Sequence, residues 1–124
     1  MEKEFVPYGL ALELKQLGFD EPCLVGYSTS TEKLEYYSRP LVTKDSFTVD
    51  APTYSQAFRF FREKYELFHS TNYQDDNSGP GGFDYEILNK RGKSQGDDEV
   101  PEFGTYEEAE LACLQKLIEI VKTK

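Results

Sequence analysis

The sequence of 124 residues has no tryptophan, one methionine, one histidine and two cysteines. The single His69 follows Phe68 in a strand-like run, with no nucleophile at a recognisable spacing and no partner histidines for a metal site. Cys23 and Cys113 lie far apart in the chain and form neither a CxxC motif nor a disulfide framework. We therefore expect both cysteines to act as small apolar residues, and we expect no structural metal and no cofactor.

Long apolar runs are also missing. No stretch approaches the roughly 18–20 apolar residues that cross a bilayer, and residues 1–5 lack the pattern of a signal peptide. Together with the unpaired cysteines, this predicts a reduced, cytoplasmic protein that does not enter a membrane.

Acidic residues clearly outnumber basic ones. The chain carries 23 Asp and Glu against 14 Lys and Arg, for a formal net charge of -9, and residues 97–110 hold seven acids and no base. Such a balance repels phosphate backbones, so direct nucleic-acid binding is not expected. A basic protein partner is compatible with it. A simple role of the acidic charge in solubility is the plainer alternative.

No motif predicts a catalytic, cofactor-binding or metal-binding residue. Asp75 and Glu86 have the spacing of the ends of a calcium loop, but Pro80 occupies the position that requires glycine, and strand-like segments flank the loop. Residues 79–82 are glycine-rich but lack the strand–loop–helix setting of a phosphate loop and its following Lys-Ser/Thr. We interpret residues 74–82 as a hairpin loop.

Three segments have helical periodicity: residues 7–17, 52–65 and 105–122. Gly18 suits the left-handed position after the first helix. Asp50 is the predicted N-terminal cap of the second helix, with Pro52 in its first turn.

The third helix has the clearest start and the clearest core face. Thr105 and Glu108 have the spacing of a capping box. Its predicted core stripe consists of Leu111, Leu114, Leu117, Ile118 and Val121. The second helix carries an aromatic stripe that we also assign to the core, namely Tyr54, Ala57, Phe58, Phe61 and Tyr65.

Strand-like segments occur in pairs between the helices. Residues 24–27 and 34–37 predict one hairpin, and residues 67–73 and 83–87 predict two more strands. The order α-β-β-α-β-β-α favours an α+β fold with an antiparallel sheet of about four strands and three helices. Two αββ units in tandem are a possible repeat.

The predicted domain organisation is one domain spanning residues 1–124, since a chain of this length is typical of a single compact core. We expect mobile loops at residues 38–49, 74–82 and 90–99, where the sequence has no regular period or is rich in polar residues and glycine.

One basic-aromatic cluster on the second helix is a candidate partner surface. Arg59 and Glu63 are spaced to point outward, and Phe60 lies off the core stripe. Phe60 either packs under residues 38–49 or anchors a partner. A separate acidic stretch, which includes Asp97, Asp98 and Glu99, would steer a basic partner toward the protein. The candidate surface residues are therefore Arg59, Phe60, Glu63, Asp97, Asp98 and Glu99.

Three segments of the chain resemble a known protein family: residues 5–23, 51–65 and 104–121. The sequence FRFFREKY at residues 58–65 is their most distinctive part. These segments, about half of the chain, resemble a family of small uncharacterised proteins from Bacteroides-type gut bacteria and their phages. The family often has tryptophan at the position of Phe60. The resemblance implies an origin and a cytosolic location but no activity.

The leading hypothesis is a non-enzymatic protein-interaction module encoded by a phage or mobile element. The alternative is a small enzyme or ligand-binding domain that uses carboxylates and tyrosines in a cleft. A weaker alternative is an acidic mimic of nucleic acid. The sequence leaves the oligomeric state open.

Overall fold

The fold is α+β, as the sequence predicts. A computed structural model describes residues 4–75, 81–95 and 101–123. The helices and strands of the described residues are, in order, α1 (Tyr8–Gln16), β1 (Cys23–Ser28), β2 (Leu34–Leu41), β3 (Thr48–Asp50), α2 (Tyr54–Tyr65), β4 (Phe68–Gln74), β5 (Gly82–Leu88) and α3 (Tyr106–Lys122). Every pair of neighbouring strands among them is antiparallel.

The chain divides into two compact units, Met1–Arg59 and Phe60–Lys124, which are described in turn. The single domain of residues 1–124 and the mobility of its three loops stay predictions. Asp97, Asp98 and Glu99 lie outside the described residues.

The first unit contains a three-stranded sheet in the order β2-β1-β3. The predicted hairpin between β1 and β2 is confirmed, with Tyr27 opposite Leu34 and Val25 opposite Tyr36. The third strand, β3, was not predicted, because its three residues are too short to show a period of two. The described strands therefore number five rather than four, and they form a three-stranded and a two-stranded sheet instead of one.

Strand β2 continues to Leu41, beyond the predicted strand and into the segment that we expected to be an irregular connection. Its register with β1 changes between Tyr36, which faces Val25, and Leu41, which faces Cys23. The extra residues of β2 form a β-bulge between these two pairs. Because a bulge interrupts the alternation of inward and outward side chains, the sequence does not show the period of two that predicts a strand.

The core of the first unit lies between α1 and the sheet. Phe5, Val25 and Ala51 form a buried cluster, and Tyr27 and Leu34 pack against it. From α1, Ala11 and Leu14 are buried.

Helix α1 ends as the sequence predicts. Gly18 has a φ of 97°. The amide of Phe19 donates to the Leu14 carbonyl at 3.0 Å, which closes the helix in a Schellman-type turn.

Helix α2 begins differently from the prediction. Asp50 belongs to β3 and does not cap the helix. The cap is a reciprocal pair: the Gln56 amide donates to Thr53 Oγ1 at 3.2 Å, and the Thr53 amide donates to Gln56 Oε1 at 3.0 Å. This Thr-x-x-Gln spacing is a capping box. It competes in the sequence with the Asp-x-Pro signal of residues 50–52, on which the prediction of Asp50 as the cap is based.

The second unit is built on the antiparallel hairpin of β4 and β5, paired from Phe68 opposite Leu88 to Gln74 opposite Gly82. Phe103 adds one more antiparallel bridge beside Phe83.

Helix α3 packs on both strands of this hairpin. The Glu108 amide donates to Thr105 Oγ1 at 3.1 Å, which confirms Thr105 as the cap. Leu111 and Val121 of the predicted stripe are half-buried. The fully buried face of α3 consists of Ala109, Cys113, Leu114, Leu117 and Ile118.

Candidate interaction surfaces

The predicted partner residues on α2 occupy different environments. Arg59 and Glu63 are exposed, whereas Phe60 retains only 8 % of its accessible surface. Arg59 forms an ion pair with Glu21, which precedes β1 in the same unit. Arg59 therefore has a structural partner, and the exposed aromatic anchor predicted beside it is not found.

Phe60 packs among aromatic rings. Its ring centroid lies 5.4 Å from that of Phe61 and 5.8 Å from that of Tyr65, both in edge-to-face geometry. Lys64 Nζ lies 5.4 Å from the Phe60 ring centroid. Phe60 is thus buried among the rings of its own helix, while its packing under residues 38–49 stays a prediction. A helical wheel missed this burial because the core stripe of α2 is wider than one face.

The first unit has a small cleft with one acid and one base at its wall. It encloses about 280 Å³ of empty space, including solvent at the mouth. Its lining residues are Ala11, Lys15, Phe19, Val42, Thr43 and Asp50.

The Asp50 carboxylate in this cleft is already engaged. Tyr37 Oη donates to Oδ1 at 2.7 Å, Thr43 Oγ1 donates to Oδ1 at 3.0 Å and the Thr43 amide donates to Oδ2 at 2.9 Å. Three of the roughly four acceptor sites of a carboxylate are thus used internally. We interpret Asp50 as a structural anchor for the bulged part of β2.

The two thiols are inert at neutral pH. Burial raises the pKa of Cys23 to about 12, with further contributions from Asp50 and Glu21. Burial, followed by the nearby Glu110, raises the pKa of Cys113 to about 12 as well. Because only the thiolate is a strong nucleophile, neither residue is suited to covalent catalysis.

Two further titratable groups have a shifted pKa. Burial, and then the charge of Arg62, lowers the pKa of His69, which keeps the imidazole neutral. Burial, and then Glu107, raises the pKa of Glu110. Across residues 4–75, 81–95 and 101–123, no three His, Cys, Asp or Glu side chains come together as metal ligands.

The outer edge of β2 is open along the part of the chain that the structure describes. β2 pairs with β1 on one side and lies at the end of its sheet. The Ser28 amide of β1 donates to the Lys33 carbonyl at 3.1 Å, so the backbone carbonyl of Lys33 points toward β1. Because bonding direction alternates along a strand, the backbone amides and carbonyls of Leu34 and Tyr36 face away from β1. Tyr36 is 61 % exposed.

A second exposed feature is an aromatic shelf, defined as Tyr73, Phe83 and Tyr106. The ring centroids of Tyr73 and Phe83 are 5.2 Å apart, and those of Phe83 and Tyr106 are 6.0 Å apart, at interplanar angles of 61° and 89°. Tyr73 is 58 % exposed and Tyr106 is 44 % exposed. The sequence does not indicate this shelf, because its three residues come from three separate elements of secondary structure.

Comparisons of the chain with protein-family models, with curated proteins and with solved structures found no match. Within the described residues, no helix combines the length and the apolar character that a bilayer crossing requires.

Proposed function

We propose that this chain is a non-enzymatic protein-interaction module that binds a partner by strand addition to β2. The observation that carries the proposal is the open edge of β2 at Leu34 and Tyr36. An extended segment of a partner can hydrogen-bond to these backbone groups and continue the sheet. An exposed edge with unpaired backbone groups is a template for pairing with another strand.

The side chains at this edge add specificity to the backbone pairing. Leu34 and Tyr36 project from the same face of the sheet, because side chains two positions apart share a face. Leu34 packs against the buried cluster of the first unit, while Tyr36 extends into solvent. An apolar residue of the added strand would cover Tyr36, an aromatic side chain of the type enriched at interfaces.

The strand is held in a fixed conformation before any partner binds. The bulged part of β2 is tied to β3 by the hydrogen bond from Tyr37 Oη to Asp50 Oδ1 at 2.7 Å. Thr43, just after β2, bonds to the same carboxylate through its amide and its hydroxyl. A pre-organised edge loses less conformational entropy on binding, which favours affinity.

The proposal includes a phage or mobile-element origin, a cytoplasmic location and a basic protein partner. The origin is supported by the family resemblance of residues 5–23, 51–65 and 104–121. The location is supported by Cys23 and Cys113, which are both buried and free. The partner chemistry is supported by the net charge of -9.

The experiment is affinity capture from an extract of a Bacteroides-type gut bacterium, followed by mass spectrometry. Tyr36→Pro removes an amide that faces the open edge, and proline is tolerated at such edge positions. Tyr36→Lys places a charge on the same edge as a second variant. Leu24→Ser is the matched control, because Leu24 is an exposed apolar residue of the same sheet, on β1 rather than at the open edge.

We expect the wild type and Leu24→Ser to retain a common set of bound proteins that both Tyr36 variants lose. Thermal melting of all four proteins checks that the fold is intact. Capture that persists in folded Tyr36→Pro and Tyr36→Lys would rule out strand addition at β2.

A further inference from the structure

We infer that the aromatic shelf of Tyr73, Phe83 and Tyr106 receives arginine side chains from a basic segment of a partner protein. The inference rests on the interaction role proposed above and adds the chemistry of the partner. It uses residues of the second unit, whereas strand addition uses β2 of the first.

The geometry of the shelf leaves ring surface open to solvent. Phe83 stands between the two tyrosines, and its edge-to-face contacts hold their rings at fixed angles. The Tyr73 hydroxyl also lies close to Gly81, where any Cβ would overlap this hydroxyl and the ring carbon that bears it. The two tyrosine rings are therefore pre-positioned and half exposed, the state in which an aromatic ring binds a ligand at little entropic cost.

The chain segments that carry the shelf are acidic. Residues 65–89 contain five acids and no Lys or Arg, and residues 94–115 contain seven acids and no Lys or Arg. These two segments supply every residue of the shelf. A cationic partner is attracted to such a surface, and an anionic one is repelled.

Two exposed acids neighbour the shelf along the chain. Glu107 directly follows Tyr106 and is exposed. Glu102 is also exposed and directly precedes Phe103, whose backbone pairs with that of Phe83. A guanidinium group offers such a surface both a positive charge and a flat face that stacks on aromatic rings.

Arginine fits this combination better than lysine. The guanidinium is planar, stacks on aromatic faces and forms bidentate hydrogen bonds with carboxylates, whereas the ammonium of lysine is a compact and strongly hydrated charge. Cation–π contacts also involve arginine more often than lysine. We therefore assign arginine as the residue that the shelf selects.

The test titrates the protein with a synthetic peptide of six arginines separated by glycines, at low ionic strength, and follows the tyrosine ring signals by NMR. Two further peptides replace arginine by citrulline, its neutral isostere, or by lysine. The variants are Tyr73→Leu and Tyr106→Leu. Phe47→Leu is the matched control, since Phe47 is an exposed aromatic residue, at 74 %, that belongs neither to the shelf nor to β2.

We expect the arginine peptide to shift the ring signals of Tyr73 and Tyr106 and to bind more tightly than the lysine peptide. The citrulline peptide should not bind. Tyr73→Leu and Tyr106→Leu should each weaken the arginine peptide about two- to fivefold, the effect of one cation–π contact at an exposed site. Phe47→Leu should bind as the wild type does.

The inference is overturned if the arginine peptide does not bind, or if Tyr73→Leu and Tyr106→Leu bind it unchanged, because attraction would then be purely electrostatic. Equal binding of the citrulline peptide would show an apolar site instead. Equal binding of the lysine peptide would remove the selection for arginine. The titration uses a defined peptide and follows tyrosine rings of the second unit, so a failure here and a failure of strand addition at β2 are separate results.

Discussion

Tyr37 and Asp50 join the two edge strands of the first sheet across the central strand. Tyr37 Oη, on β2, donates to Asp50 Oδ1, on β3, at 2.7 Å. Between them lies Gly26 of β1, which pairs with Asp50. The Tyr37 hydroxyl occupies the space that a side chain at position 26 would fill. Glycine in the middle of a strand normally weakens it, and here its absent side chain makes room for the tyrosine ring.

This relationship predicts a specific coupling between Gly26 and Tyr37. Gly26→Ala should destabilise the wild type by about 1–3 kcal/mol, because the new Cβ forces the Tyr37 ring away from Asp50. In a Tyr37→Ala background the same substitution should cost much less, since the space is then empty. Urea unfolding of the double-mutant cycle measures the difference. Equal costs in both backgrounds would contradict the close approach.

The buried thiols predict a loss of stability in alkaline solution. Folding raises the pKa of both Cys23 and Cys113 from about 9.0 to about 12. The unfolded chain therefore releases these protons from pH 9 upward while the folded chain keeps them. The stability contribution is complete below pH 9 and is lost as pH rises from about 9 toward 12.

The measurement is urea unfolding between about pH 8 and about pH 9.3, because tyrosines have an ordinary pKa of about 10 and ionise mainly above this range. We expect the free energy of unfolding to fall by at most about 1.4 kcal/mol per pH unit for each thiol. Cys23→Ala and Cys113→Ala should each lower the free energy of unfolding at about pH 8. Each should also reduce the decrease in this free energy per pH unit, because one titrating thiol is removed. A slope that both substitutions leave unchanged would show that other groups cause it.

Leu117→Ala should lower the free energy of unfolding by roughly 2–5 kcal/mol, because Leu117 is 1 % exposed in the core face of α3. Gln115→Ala is the matched control on the exposed side of the same helix and should change stability by less than about 0.5 kcal/mol. Thermal melting and urea unfolding measure both. Similar stabilities for the two variants would argue against the placement of this face.

Phe60→Ala decides between the two roles that the sequence left open for this residue. Because Phe60 is 8 % exposed and contacts the rings of Phe61 and Tyr65, its loss should cost about 3–5 kcal/mol. Glu63→Ala, at an exposed position of the same helix, serves as the control. A Phe60→Ala protein as stable as the control would restore the interface role.

Thr71→Val should stabilise the protein. Thr71 Oγ1 is a buried side-chain oxygen with no hydrogen-bond partner among the described residues. Valine has the same shape, suits a strand and removes the unpaired hydroxyl, which should raise the free energy of unfolding by about 1–3 kcal/mol. Thr71→Ser keeps the hydroxyl and should not stabilise. A lower melting temperature for Thr71→Val would mean that the hydroxyl has a stabilising partner, such as water.

Local signals in the sequence predict the helices well because helix periodicity and capping act over a few neighbouring residues. Thr105 with Glu108 marks the start of α3, and Gly18 marks the end of α1, where the backbone needs a left-handed residue. The local reading fails where two signals compete, as at Asp50 and Thr53. Asp and Thr are both residue types that commonly cap helices. Only the tertiary structure places Asp50 in a strand and leaves Thr53 as the cap.

The sequence by itself determined the α+β class, the order of the predicted elements, the hairpins and the acidic balance, since all of these depend on composition or on residues close together in the chain. Tertiary structure alone decided the burial of Phe60, the role of Asp50 and the division into two sheets. It also decided the open edge of β2 and the aromatic shelf. Each of these depends on residues from separate elements that meet only after folding, so no spacing along the chain encodes them.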